Sequence, residues 1–283
     1  MILQPSNTVY NIEDHFPPLT TGKAAVALSG GLESTLIARI ALDYYGEDNV
    51  VLVYSDNMFT QHNPDGNQNV LINVTNAANM LGKPVVYVDV DTQLHFNDME
   101  ASVAQINKTL KELHNVEFTM WGFTKLFFNV AEFKEDNNAT NETIIAKCYS
   151  DPVKYRDVIE EFHLPSGIFT EYVKDLDIPG IVYKMLRSEV GQTMKRPFDT
   201  LNKSEVIDLY RQLGYLDLAQ QTHSCVTDTI RNNHTHCGTC FNCQQRHDAF
   251  AKLGVEDKTI YAQDIVNQSW NLLQAKLAEP HRA

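Results

Sequence analysis

The chain has 283 residues, 43% of them hydrophobic, and a formal net charge of −13. That is enough for one large α/β unit with an elaboration and a sizeable buried core. The acidic balance excludes a nonspecific nucleic-acid surface, which needs clustered Lys and Arg, and no apolar run approaches the ~20 residues of a membrane span.

In chain order, the first element is a short apolar run over residues 24–28, read as a buried strand. It stops abruptly at Ser29-Gly30-Gly31, and an amphipathic helix pattern follows over residues 34–45, with Leu36, Ile37, Ile40, Ala41 and Tyr44 on one face. Two glycines allow positive φ and let a ligand approach the backbone closely. Ser29, Ser34 and Thr35 bring hydroxyls to the free N–H groups of the helix N-terminus, a ready site for phosphate or pyrophosphate. A serine-capped glycine turn with no ligand has the same local signature. The stretch Leu28-Ser29-Gly30-Gly31-Leu32-Glu33-Ser34-Thr35 is not the Gly-x-x-x-x-Gly-Lys-Ser/Thr loop, because it has no lysine to reach a γ-phosphate.

Val50–Tyr54 reads as a second strand and Gly66–Leu81 as a helix with Val70, Val74, Ala77 and Leu81 aligned. A third strand is expected over residues 85–90. One further stripe contains Met99, Val103, Ile106, Leu110 and Leu113, and another contains Phe123, Leu126, Phe127 and Val130; both read as ordinary core faces. Residues 136–141 read as a loop and 143–146 as a fourth strand. The segment 151–180, with Pro152, Pro165 and Pro179, is either a lid or an irregular surface connection. Strands alternating with helices imply an α/β fold with a doubly wound parallel sheet. Ligands of such sheets bind beyond the carboxyl ends of the strands, where the Ser29–Gly31 loop and Tyr54–Asn57 are expected to emerge.

Four of the five cysteines crowd together as Cys225, Cys237, Cys240 and Cys243, spaced Cys-x11-Cys-x2-Cys-x2-Cys. Thiolates at this spacing can close a tetrahedron around one structural Zn²⁺, with Gly238 supplying the tight turn. Disulfides and an iron–sulfur cluster are the alternatives. Met1 to His15 has no apolar core of a signal peptide, so a cytoplasmic, reducing location is expected and zinc is preferred over disulfides. His223, His234 and His236 flank the cluster and are read as surface residues rather than ligands. Residues 262–283 read as a helix ending near Pro280 that packs on the body or on a second subunit of a homodimer.

The Ser-Gly-Gly run resembles the pyrophosphate loop Ser-Gly-Gly-x-Asp-Ser of the N-type ATP pyrophosphatases, with Glu33 in place of aspartate. The tail Ser224-Cys225, then Cys237-Gly238-Thr239-Cys240-Phe241-Asn242-Cys243-Gln244-Gln245-Arg246, with Ala249, Phe250, Gly254, Asp257 and Tyr261, resembles the 7-cyano-7-deazaguanine synthase family. Arg196-Pro197-Phe198 and the stretch from Asn202 to Ile207 continue it. The resemblance covers roughly residues 20–90 and 195–262. It departs at Trp121-Gly122-Phe123-Thr124-Lys125, where the family has an arginine–asparagine pair. It also departs at Tyr54-Ser55-Asp56-Asn57-Met58, and it is faint over Asp151 to Arg156. The resemblance implies a nucleotide-binding domain over 1–195, with the lid at 151–180, and a zinc-binding helical region over 196–283. It also implies ATP and Mg²⁺, with Lys203 and Arg246 as catalytic charge partners. The implied reaction adenylates the carboxylate of a 7-deazaguanine acid and transfers ammonia to give an amide or nitrile. A different amine acceptor, a tRNA-thiolating relative and an inactive nucleotide-binding relative are the other readings. A small-molecule substrate is expected, with neither membrane nor nucleic acid as partner. Gly30→Val is expected to abolish turnover while sparing the fold.

Overall fold

The computed structural model describes residues 1–5, 8–55, 66–90, 99–122, 189–225, 235–238 and 241–261, and a four-stranded parallel sheet lies at its centre. Ahead of it, β1 (Ile2–Leu3) and β2 (Tyr10–Asn11) pair antiparallel, and α1 (Ile12–His15) follows. The chain then alternates through β3 (Lys23–Ala27), α2 (Leu32–Tyr45), β4 (Val50–Tyr54), α3 (Gly66–Leu81), β5 (Val85–Tyr87), α4 (Met99–His114) and β6 (Val116–Met120). The strand order is β5-β4-β3-β6. The chain therefore steps outward from β3 to β5 and returns to the other side of β3. That reversal creates a crevice beyond the carboxyl ends of β3 and β6, which is where sheets of this kind bind ligands.

Both faces of the sheet are covered, which is why β4 is apolar and buried at every position. Successive side chains point to opposite faces. Ala24, Val26, Val50 and Leu52 pack with Leu36, Ile37 and Ile40 of α2 and Val74 and Ala77 of α3. Ala25, Val51 and Val53 pack with Val103, Ile106 and Leu110 of α4.

The elements after the sheet are α5 (Glu189–Thr193), α6 (Lys203–Gln212), α7 (Leu216–Gln221), β7 (Thr235–His236), α8 (Phe241–Lys252) and β8 (Ile260–Tyr261). Lys195 extends the sheet: Trp121 N–H donates to its carbonyl at 2.9 Å, and its own N–H donates to Thr119 O at 2.8 Å. Phe198, Val206, Ile207, Tyr210 and Phe250 share one apolar core with Leu32, Leu36 and Ile40. That core crosses the expected boundary at residue 195.

Several boundaries differ from the sequence expectation. The first strand is Lys23–Ala27, although Leu28 N–H still reaches Val53 O at 2.8 Å. The helix expected from Ser34 begins at Leu32, because Leu32 is itself a core residue. The third strand stops at Tyr87, and Val88 N–H caps the pairing on Tyr54 O at 2.9 Å. Leu113 is 72% exposed, at the end of α4 where Asn115, at φ 54, turns the chain into β6. Tyr44 is also exposed, and its ring packs at the rim against Tyr45 and Phe16. The fourth strand of the described sheet is β6, a segment the periodicity did not reveal. The expected strand at 143–146, the helix at 123–130, the loop at 136–141, the lid at 151–180 and the helix at 262–283 lie outside the described residues.

Glu117 of β6 closes the opposite end of the sheet. Its carboxylate accepts from the N–H groups of Thr20, Thr21 and Gly22 and from the Thr20 hydroxyl. The Gly22 and Thr21 N–H groups lead in lowering its pKa from 4.5 to about 2. A carboxyl whose folded pKa is depressed adds stability above its unfolded pKa and loses it on acidification. Wild-type protein is therefore expected to lose more stability than Glu117→Gln as pH falls from 4.5 to about 2, read as the difference between their urea midpoints.

Candidate functional site

The loop between β3 and α2 stands in the crevice. Gly30 adopts φ +79, and a Cβ there would stand 2.6 Å from the backbone carbonyl of Asn73 in α3. Only glycine lets the loop lie this close to α3. Gly31 is the N-cap of α2 and has no side-chain capping bond. The two serines bond to each other instead: Ser29 Oγ lies 2.9 Å from Ser34 Oγ, and Ser29 N–H donates to Ser34 Oγ at 3.1 Å. Gly31 N–H donates to Ser29 Oγ at 3.3 Å. The hydroxyls thus set the loop's shape at the positive end of the helix dipole, an arrangement suited to an anion. Thr35 is buried, and its Oγ1 has no hydrogen-bond partner among the described residues.

Three segments frame the loop. His223 N–H donates to Gly30 O at 2.9 Å. Gly122, just after β6, packs on α2 so tightly that a Cβ would stand 3.0 Å from both Glu33 Cβ and Ser34 N. On the third side, Tyr210 of α6 donates its buried hydroxyl to Leu32 O at 2.7 Å. Burial, and then the charge of Glu33, push the Tyr210 phenol well above its ordinary pKa. Tyr54 and Ser55 end the neighbouring strand β4; Tyr54 meets Tyr87 edge-on at 6.1 Å. Asp56, Asn57 and Met58 lie outside the described residues.

Lys203 reaches this loop from the first position of α6. Its Nζ lies 3.0 Å from Glu33 Oε1, and both side chains are largely buried. The helix start is fixed by a capping box, with Glu205 N–H donating to Asn202 Oδ1 at 3.0 Å and Asn202 N–H to Glu205 Oε2 at 2.8 Å. Thr8 adds a further hydrogen bond to Glu205.

Arg246, the other expected charge partner, is bound to the residues on either side of His223. It is 0% exposed and lies at 3.3 Å from Asp257 through Nε. Nη1 donates to Thr222 Oγ1 at 2.8 Å, and Nη2 donates to Ala219 O at 2.9 Å. The guanidinium also lies over the Phe250 ring, 5.1 Å from its centre. Asp257 additionally accepts from the Tyr261 hydroxyl at 2.6 Å and from Thr259 N–H at 3.1 Å. Burial would raise the Asp257 pKa, but Arg246 and these donors hold it below the usual carboxylate value. Arg246 therefore ties the end of α7 to α8 and β8, and its surroundings are protein on every side.

The cysteines gather next to this network. The Sγ atoms of Cys225, Cys237 and Cys243 all lie within 4.8 Å of one another, and those of Cys237 and Cys243 are 3.9 Å apart. That separation is far beyond the ~2.05 Å of a disulfide. Cys237 N–H donates to Cys225 Sγ at 3.4 Å, a contact that favours a thiolate there. Gly238 has φ +76, as the turn of a knuckle requires. Cys240 and His234 lie outside the described residues. The donor set fits one soft metal ion. His236 corrects the expectation of a surface histidine: it is 2% exposed, accepts from Ser224 N–H at 2.8 Å and lies 4.3 Å, ring centre to ring centre, from the half-buried His223, with the rings tilted by 30°. Burial, reinforced by His223 and Arg246, drives its pKa down to about 3.

The profile of Queuosine biosynthesis protein QueC matches residues 23–254, most of the chain. The chain belongs to the QueC family. A 7-cyano-7-deazaguanine synthase of Methanococcus maripaludis is 37% identical over 71 residues, 24% of this chain and 30% of that protein. One from Acaryochloris marina is 41% identical over 66 residues, 23% of this chain and 28% of that protein. The chain thus matches under a third of the length of these curated relatives. Among solved structures, the U34-tRNA thiolase NcsA from Methanococcus maripaludis with its 4Fe-4S cluster is 16% identical. The overlap covers 93% of this chain and 77% of that one, with a TM-score of 0.37. No helix among the described residues is long and apolar enough to cross a membrane.

For this QueC-family chain, sequence reasoning missed Tyr210 and the backbone role of His223. Tyr210 had a signal, since it lies seven residues after Lys203 on the same face of α6. His223 acts through its N–H, for which no side-chain signature exists.

Proposed function

We propose that the protein is an ATP-dependent carbon–nitrogen ligase that adenylates the carboxylate of a 7-deazaguanine acid and transfers ammonia to it. The observation that carries this reading is the Ser29–Ser34 loop at the switch point of a QueC-family sheet. A substrate carboxylate oxygen attacks the α-phosphorus of ATP, the bond to the bridging oxygen breaks, and pyrophosphate leaves. Ammonia then attacks the acyl carbon, AMP departs and a proton is lost, leaving the amide. A second ATP adenylates the amide oxygen with release of its pyrophosphate, and departure of AMP with loss of both protons from nitrogen gives the nitrile.

The chain's part is to bind and neutralise the leaving pyrophosphate. The N–H groups at the start of α2, the Ser29 and Ser34 hydroxyls and the Lys203 ammonium supply that charge stabilisation. Mg²⁺, when bound with ATP, would neutralise further phosphate charge. Tyr54 and Ser55 border the nucleotide from β4. Arg246 serves as a positioning residue through Asp257 and Thr222. Zn²⁺ would be held by Cys225, Cys237, Cys240 and Cys243 in a closed structural site, which suits a reducing, cytoplasmic setting. On this reading, residues 196–283 form the metal-binding region and also deliver Lys203.

With 7-carboxy-7-deazaguanine, ammonia, ATP and Mg²⁺, the expected products are AMP and pyrophosphate, separated by anion-exchange chromatography. ADP as product would overturn the reading, whereas AMP formed only with another acid would keep adenylation and reject this substrate. Metal analysis is expected to find about one zinc per chain. Cys243→Ser is expected to lower both that content and the melting temperature, and iron in place of zinc would overturn the metal assignment.

A further inference from the structure

Lys203 breaks a local rule. It is the first residue of α6, where unpaired N–H groups already carry positive partial charge, and it is 7% exposed. A buried ion pair is weak evidence for stability, because desolvation offsets most of the attraction. A residue that violates both helix and burial preferences is a candidate for selection by function. Glu33 stands against it at 3.0 Å. The other oxygen of that carboxylate lies 3.9 Å from the point a Cβ on Gly31 would occupy, so Glu33 overhangs the loop that would take phosphate.

We propose that Glu33 is a resident anion that holds Lys203 at the loop, and that incoming pyrophosphate or nucleotide phosphate displaces it and takes over the ammonium. The inference rests on reading residues 29–34 as a polyphosphate loop. The surrounding frame permits the exchange without backbone movement. Tyr210 fixes α6 to the Leu32 carbonyl at 2.7 Å, and the capping box fixes the start of α6. Only two flexible side chains then have to turn, and a lysine ammonium on its four-carbon stem can do so where a planar guanidinium would be bound to one geometry.

The two partners of this pair are expected to have opposite effects on anion binding, whereas the partners of a structural strut would weaken it together. Calorimetric titration of inorganic pyrophosphate, without divalent metal, into wild type, E33Q, K203M and E33Q/K203M reads this directly. A charge-assisted hydrogen bond is worth about tenfold in affinity. E33Q is therefore expected to bind about tenfold tighter than wild type and K203M about tenfold weaker, with the double variant equal to K203M. If K203M fails to fold, K203Q replaces it with the same expectation. E33Q binding no tighter than wild type overturns the exchange. So does a double variant that keeps the gain over K203M, since that gain would be mere relief of repulsion. Folded wild-type protein that binds no pyrophosphate at all instead overturns the loop reading on which the exchange rests.

Discussion

Arg246→Met is expected to cost about 3–5 kcal/mol of folding stability, because it strands a buried carboxylate without its counter-ion. The Asp257 side chain is 5% exposed, and after the substitution it would keep the Tyr261 hydroxyl and Thr259 N–H. The Thr222 hydroxyl would lose its donor as well, and the Ala219 carbonyl would keep only the Thr222 hydroxyl and N–H. Urea unfolding measures the loss. Asp257→Asn in the Arg246→Met background is expected to restore part of it, since the buried charge is then gone. The pH dependence should also weaken at this site. In wild type the Asp257 pKa is depressed, so its contribution is present above the unfolded value and fades on acidification. In Arg246→Met only the Tyr261 and Thr259 donors remain to oppose burial, so the pKa rises and less stability is lost on acidification. A loss under about 1 kcal/mol would show that the guanidinium is not bound into the core as the geometry implies.

What the sequence disclosed and what it withheld divide along physical lines. The residues of β4 are apolar at all five positions because both faces of a parallel sheet are covered, and that signal is local. The cysteine spacing is local too, and it anticipated the grouping of Cys225, Cys237 and Cys243. The Ser-Gly-Gly turn was legible because glycine at positive φ leaves a mark in one short stretch. The partnership of Glu33 and Lys203 was not legible, since it joins the first turns of two helices far apart in the chain. Arg246 was singled out by its place in a motif, yet its burial depends on Asp257, Thr222 and Ala219, supplied by two separate segments. His236 was misread for a related reason. Histidine beside a cysteine cluster suggests a wet surface, and only the packing of β7 against β8 and His223 encloses it. β6 escaped because Glu117 and Thr119 interrupt its apolar pattern, and both are explained by contacts beyond the strand.

Gly30→Ala is expected to reduce ATP turnover about a hundredfold, the scale of a displacement near 1 Å in a catalytic frame. It is also expected to destabilise the fold, contrary to the sequence expectation that the larger valine would spare it. Two costs combine. A non-glycine residue at positive φ costs about 1–3 kcal/mol. The new methyl would in addition stand 2.6 Å from the Asn73 backbone, which α3 holds in place, so either the loop or the helix must move. Gly46 separates these terms. It too has a positive φ, +83, with ψ 153, but a Cβ there meets nothing within 4 Å. Gly46→Ala is therefore expected to carry the conformational cost alone, with turnover unchanged. The difference between the two variants in urea unfolding measures the close approach, and the difference in pyrophosphate release measures what that approach does for the site. Equal stability losses would mean that α3 yields freely. Normal turnover in Gly30→Ala would remove the loop from the chemistry altogether.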